Sequence, residues 1–171
     1  ADSATATDRE CLVWRDRRFT YGQVTERTRR LANYLVGRGL KVRAERESLK
    51  EWESGQPHLA LYLYNCNEYL EGMLRAFKAR VAPFNVNYRY VSEELTYLLD
   101  DSRARALIYH ECFAPNLASV LGGLRSTPSV LIQVPDGSGH PITDGLIEGA
   151  VDYEECLAAS SPEIPDDLTA A

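Results

Sequence analysis

The sequence predicts an α/β domain, a mainly parallel sheet with flanking helices preceded by a short β-hairpin. Three observations predict it. Apolar runs at 59–64, 81–86, 104–109 and 129–134 recur roughly every 22–25 residues, the spacing of βαβ units. Helix-period segments lie between them, with Leu95, Leu98 and Leu99 the clearest stripe. The first run is apolar almost without a break, as a strand covered on both faces must be.

Each element has its own signal. Residues 11–15 and 18–21 read as a hairpin turning at Asp16-Arg17. Thr20 caps a helix with Val24, Thr28, Leu31 and Leu35 on one face, and Gly37 and Gly39 end it. Residues 41–56 balance Lys41, Arg43, Arg46 and Lys50 against Glu45, Glu47, Glu51 and Glu53. They read as a surface helix or long loop pinned by Leu49 and Trp52. After the first buried strand, Asn65 and Asn67 suit a turn and a helix cap, with Tyr69, Met73, Ala76 and Phe77 on the buried face. Pro83 places the next strand at an edge or bulge. Ser92 caps the following helix, with Glu93 and Glu94 in its first turn, and Pro115 suits the first turn of another. The stretch 135–142 is turn chemistry, and a short acidic helix is expected near 152–159. Pro162 and Pro165 make 160–171 a linker-like tail.

Composition narrows the function. With 44% hydrophobic and 26% charged residues, the chain is an ordinary globular sequence. A net charge of −6 argues against nucleic acid as partner. The arginines Arg15, Arg17, Arg18, Arg27, Arg29 and Arg30 read as a solvated surface. No stretch suits a transmembrane segment or an export signal. Cys11, Cys66, Cys112 and Cys156 lack metal or disulfide spacing and read as buried or half-buried thiols, which fits a cytoplasmic location.

No complete catalytic motif is present. Gly37-Arg38-Gly39 and Gly137-Ser138-Gly139 are turns rather than phosphate loops, since neither is a third-glycine or Lys-containing motif. No nucleophile elbow accompanies His58, His110 and His140; His110, just past a strand, reads as a packing or solvent-side residue. Asp100-Asp101 and Glu154-Glu155 read as helix charges, and Tyr62, Tyr64, Tyr69, Tyr88, Tyr90 and Tyr97 as core.

Two segments carry a resemblance. FTYGQVTERTRRLANYL, at 19–35, and MLRAFKARVAPFNVNYRYVSEELTYLL, at 73–99, resemble the first two core motifs of the adenylate-forming (AMP-binding) superfamily. FNVNYRY and LYLYNCNEYLEGM are similar to bacterial long-chain fatty-acid and steroid-side-chain acyl–CoA ligases. The resemblance covers 11–153. It implies that 1–159 is part of a large N-terminal domain, with the likeness ending at Asp166-Asp167-Leu168, before the family's phosphate loop.

An intact member would use ATP, Mg and coenzyme A. A fatty or steroid carboxylate attacks the α-phosphate to give an acyl-adenylate, and the CoA thiol then displaces AMP. The resemblance carries over no catalytic, cofactor-binding or metal residue, and none of these cofactors is expected to bind this stretch tightly. It implies packing roles for Tyr21, Leu31, Phe77 and Val81, and makes Asn85, Asn87 and Tyr88, at a strand end, candidates for the wall of the substrate pocket. The expected partner is the remainder of the ligase domain, without which apolar faces are left uncovered and the chain is inactive. The alternative is a non-catalytic remnant that pairs with a full-length ligase.

Overall fold

A computed structural model describes residues 6–164, apart from the side chain of Lys78. β1 (Glu10–Trp14) and β2 (Arg17–Thr20) pair antiparallel, with Trp14 opposite Arg17. The turn is therefore Arg15-Asp16, one residue earlier than expected, and Arg15 takes the left-handed φ of 53°. Thr20 caps α1 (Tyr21–Gly37): its hydroxyl accepts the Gln23 N–H, and the Gln23 side chain accepts the Thr20 N–H. Val24, Thr28, Leu31 and Leu35 are buried at the predicted spacing. Gly39, at φ +83°, turns the chain so that the Leu40 N–H reaches back to the Leu35 carbonyl. Tyr21 does not pack this helix. It is the first helical residue and faces solvent.

Segment 41–56 is a loop with one 3-10 turn, Arg46–Ser48. Trp52 does not pin it, being 79% exposed. Backbone and charge hold it instead. The Arg43 N–H donates to the Gly55 carbonyl at 2.7 Å, and the Glu45 carboxylate takes both terminal nitrogens of Arg80. A Cβ on Gly55 would lie 2.0 Å from the Ala44 carbonyl oxygen, so only glycine fits there.

The main sheet has five strands, all parallel, in the order β4-β3-β5-β6-β7. They are β3 (His58–Tyr62), β4 (Ala82–Asn85), β5 (Ala106–His110), β6 (Val130–Val134) and β7 (Ala150–Asp152). Pro83 sits in β4, an edge strand, as its missing N–H demands. β7 is absent from the sequence reading, because three half-buried residues leave no apolar run.

Four more helices complete the layers: α2 (Asn67–Lys78), α3 (Ser92–Ser102), α4 (Ala114–Leu121) and α5 (Tyr153–Ala158). Leu95, Leu99 and Leu117 cover one face of the sheet over Ala60, Leu107 and Leu131. Leu31, Leu35, Ala76, Cys156 and Leu157 cover the other over Leu61, Ile108 and Ile132. Each fully buried Leu or Ile stabilises by roughly 1.5–3 kcal/mol. Pro115 lies in the first turn of α4, and Asp152 caps α5 by accepting the Glu154 and Glu155 N–H groups.

Several expectations need correction. The cap of α2 is Cys66, whose Sγ accepts the Tyr69 N–H at 3.3 Å; Asn67 is the first helical residue and bonds Glu71. Val91 rather than Ser92 precedes α3, with its N–H on the Glu94 carboxylate. Phe77 does not join α2 to the sheet and is 63% exposed, whereas Val81 is buried. α2 is rotated because small residues face the sheet. A Cβ on Gly72 would come within 2.9 Å of Leu61 Cδ2, and Ala76 and Ala79 are fully buried.

Candidate functional site

The site follows from the strand order. After β3 the chain adds β4 on one side, then crosses to place β5, β6 and β7 on the other. Such a reversal opens a crevice outside the carboxyl ends of the two central strands, here β3 and β5, where open parallel sheets bind ligands. The hairpin tip overhangs this edge. A cleft of about 380 Å³ is lined by Trp14, Arg15, Tyr64, Cys66, Glu68 and His110, among others. A larger cleft, about 720 Å³, lies beside loop 43–57 near the amino end of β3, away from the carboxyl strand ends at which such sheets bind ligands.

His110 ends β5 and is buried. Its Nδ1 accepts the Tyr64 N–H at 3.0 Å, so in the neutral ring Nε2 carries the proton. Burial pushes its pKa down, against the pull of Asp136 and Glu68. His110 is thus a packed, neutral side chain with one donor to offer. Around it stands an aromatic group. Phe113 stacks on Tyr62 at 4.3 Å, and Tyr64 lies 4.9 Å from Phe113, 5.0 Å from Tyr88 and 5.8 Å from His110. Asn116 Nδ2 donates to the Tyr62 hydroxyl and the Tyr90 carbonyl, both at 3.1 Å. Tyr62 is core as expected, but Tyr64, Tyr88 and Tyr97 are exposed. They lie after strand ends or on an outer helix face, where no second layer covers them.

The crevice holds no activated nucleophile among these groups. Burial pushes the thiols of Cys66 and Cys112 up to about 12, so both stay protonated at neutral pH. Cys156 is buried as expected, and Cys11 is exposed because it lies on the open hairpin. The arrangement suits binding rather than covalent chemistry.

Gly137-Ser138-Gly139 does more than turn. The Glu111 carboxylate accepts the N–H groups of Asp136, Gly137, Gly139 and His140 at 2.8–3.1 Å. Burial alone would raise the Glu111 pKa; the four amides more than offset it and hold it below the usual range. An anion-binding nest is present, and an internal carboxylate fills it. Its amides are therefore engaged and do not fit a nucleotide phosphate. Glycines spaced this way after a strand, with an acid just past the preceding one, were the available signal.

The arginine cluster is only partly a solvated surface. Arg17 donates to buried Glu68 at 2.6 Å. Arg27 bonds fully buried Glu71 at 2.9 Å and grips Glu154 through two nitrogens, so Glu154 is more than a surface charge. Long-range partners across 44 and 127 residues leave no local pattern to read. Of the predicted wall residues, Tyr88 joins the aromatic group. Asn85 accepts the Tyr69 hydroxyl at 2.5 Å, and Asn87 accepts the Arg89 N–H in a local turn.

The AMP-binding enzyme family matches residues 1–169. The chain belongs to that family. It is 52% identical over 174 residues to the medium-chain acyl-CoA ligase Mig of Mycobacterium avium, covering 98% of this chain and 31% of that protein. It is 37% identical to the 3-oxocholest-4-en-26-oate–CoA ligase of Rhodococcus rhodochrous, covering 91% of this chain and 25% of that protein. The chain thus spans less than a third of these relatives. Among solved structures, the anthranilate CoA ligase AuaEII has a TM-score of 0.72 at 20% identity, covering 94% of this chain and 26% of that one. The N-terminal domain of FACL13 from Mycobacterium tuberculosis has a TM-score of 0.61 at 20% identity, covering 88% and 31%. These likenesses establish the fold, the parallel sheet of an AMP-binding N-terminal domain with its leading hairpin. Among the described residues no helix is long and apolar enough to cross a membrane.

Proposed function

We propose that this chain is the N-terminal part of an ATP-dependent fatty-acid or steroid-acid CoA ligase acting in the cytoplasm, and that alone it is inactive. The identity of 52% to the medium-chain ligase, extending over nearly the whole chain, carries the reading. An intact enzyme of this kind joins a carboxylic acid to coenzyme A at the expense of Mg-ATP. No step of that reaction is assigned to residues here, since the nest at 136–140 is closed by Glu111. The role left to this region is to supply the sheet and one wall of the site, with Tyr88 beside Tyr64 and with Asn85 and Asn87 at the end of β4 and in the turn that follows.

ATP–pyrophosphate exchange tests both parts. The chain alone should give none with fatty or steroid acids. The Mycobacterium avium ligase carrying this chain in place of its matching segment should exchange with fatty acids. Exchange by the chain alone refutes inactivity; a folded chimera without exchange refutes the ligase reading.

A further inference from the structure

The cleft beside loop 43–57 opens at the opposite end of the sheet from the crevice, against the turn from α3 into β5. At about 720 Å³ it has room for a nucleotide-sized ligand. Its walls are tied together in the absence of any ligand. His58, at the start of β3, joins both sides: its Nδ1–H donates to the Ser102 carbonyl, and its Nε2 lies 3.2 Å from the Ser54 hydroxyl. The Arg43 N–H on the Gly55 carbonyl closes the loop. The Arg105 N–H, 2.9 Å from the His58 carbonyl oxygen, fixes the turn to β3.

The lining sorts into three kinds of chemistry. Arg43, Arg103 and Arg105 bring guanidinium groups to one cleft of a chain whose net charge is −6. Arg17, Arg27 and Arg80 are paired with carboxylates, whereas the arginines of the cleft form no ion pair among the described residues. Two acids share the cleft. Glu53 is engaged by the Lys50 N–H at 3.0 Å. Asp101 accepts no hydrogen bond among the described residues, so it can take donors from a ligand. Trp52 stands at the rim, 79% exposed, with Lys50 Nζ 5.6 Å from its ring centre. Guanidinium forks suit phosphate oxygens, an indole face suits a base, and a lone carboxylate suits ribose hydroxyls. An inorganic anion would use only the first of these, and a purely apolar ligand only the second.

We propose that this cleft binds a nucleoside phosphate, with phosphate on Arg103 and Arg105, base on Trp52 and ribose on Asp101. Free nucleotides and the nucleotide head of coenzyme A share that chemistry. An occupant here braces loop 43–57 against α3 and β5 without entering the crevice, which makes the role regulatory. The site uses no step of the ligase reaction and is tested apart from it.

The chain has two tryptophans, so Trp14→Phe leaves Trp52 as the sole reporter, and quenching of its emission reads this cleft. Saturable quenching by ADP, by coenzyme A or by both supports the site, and the tighter of the two names the source. Adenosine and pyrophosphate should each bind at least about tenfold more weakly than that ligand. Arg103→Asn/Arg105→Gln, with asparagine chosen for the left-handed φ of 48° at Arg103, should weaken it about ten- to a hundredfold. Both arginines are exposed, so circular dichroism should be unchanged. Arg43→Gln should weaken binding about tenfold and gives the same reading if the double variant misfolds. No saturable quenching up to about 10 mM overturns the proposal. So does pyrophosphate binding as tightly as the nucleotides, the mark of an adventitious anion patch, or an affinity that neither variant moves. Should the chain not fold alone, hydrogen exchange is measured on the chimera with the Mycobacterium avium ligase. Slower exchange in 43–57 and 101–105 with ADP, lost in the double variant, supports the site; no slowing there, or slowing that the variant keeps, refutes it. A chimera that exchanges pyrophosphate but shows no such protection refutes this site and leaves the ligase reading standing.

Discussion

The two faces of the sheet are built from different materials. Over Ala60, Leu107 and Leu131 the helices α3 and α4 lay down Leu95, Leu99, Leu117 and Val120, an almost wholly apolar layer. Over Leu61, Ile108 and Ile132 the helices α1, α2 and α5 also bring apolar side chains, but a polar seam runs through their junction. Arg27, Glu71, Asn67 and Tyr153 are joined there by hydrogen bonds of 2.8–3.0 Å. The first face is held by area removed from water, which tolerates small changes gracefully. The second is held by directional pairs whose members are each costly when left alone.

Two substitutions bring out that difference most strongly. Glu71→Ala strips Arg27, Asn67 and Tyr153 of a shared acceptor, so unfolding free energy should fall by about 3–5 kcal/mol. Glu71→Gln should retain part of that loss, since its carbonyl still accepts. On the other face Leu99→Ala should cost about 2–4 kcal/mol through lost burial and a residual cavity. Urea unfolding of both variants checks the pair. A loss at Glu71 smaller than that at Leu99 would mean that the seam is only decoration on an apolar core.

The same contrast explains what the sequence disclosed. Leu95, Leu98 and Leu99, or Val24, Thr28, Leu31 and Leu35, announce their face because helical periodicity is local. The strands 59–64, 104–109 and 129–134 were legible within two residues for the same reason. Nothing local in the sequence marks Glu71, because its partners Arg27 and Tyr153 lie 44 and 82 residues away. Phe77 and Trp52 were misplaced by the opposite fault. Hydropathy says that a side chain prefers burial, but not whether this part of the fold has anything to bury it against. The site was half visible. His110 and the 135–142 turn stood at a strand end in the sequence, whereas the crevice needs the order β4-β3-β5, which no single segment encodes.

A change in the opposite direction sharpens the comparison further. Arg75 is buried beside α1, with Nε and Nη2 unpaired, and burial together with the charge of Arg29 brings its pKa down to about 10. It is still charged at neutral pH. Arg75→Met keeps much of the volume and removes the charge, so it should stabilise the chain by about 1–2 kcal/mol. A loss of stability measured by urea unfolding would show that the guanidinium has found compensation in solution.

Acid titration should separate the two faces with a smaller effect. Hydrogen bonds from Arg27 hold the Glu154 carboxyl below its usual pKa, burial opposing, with Arg17 adding to the pull. A carboxylate depressed in the folded state stabilises it above the unfolded pKa of about 4.3, and that contribution fades as pH falls through the folded value. Glu154 is half exposed, so solvent screening limits the change to under about 1 kcal/mol. The Leu95–Leu99–Leu117 layer is apolar, and the depressed carboxylate on its side, Glu111, holds the 136–140 loop rather than the α3–α4 contact. Lowering the pH from 7 to 3.5 should therefore weaken hydrogen-exchange protection in α1 and α5 before α3 and α4. Arg27→Met should weaken that ordering, because the acid would keep only its longer contact with Arg17 at 3.6 Å. Simultaneous loss across both faces in the unmodified chain would instead mean that the domain opens as one unit and that the seam adds no separate acid sensitivity.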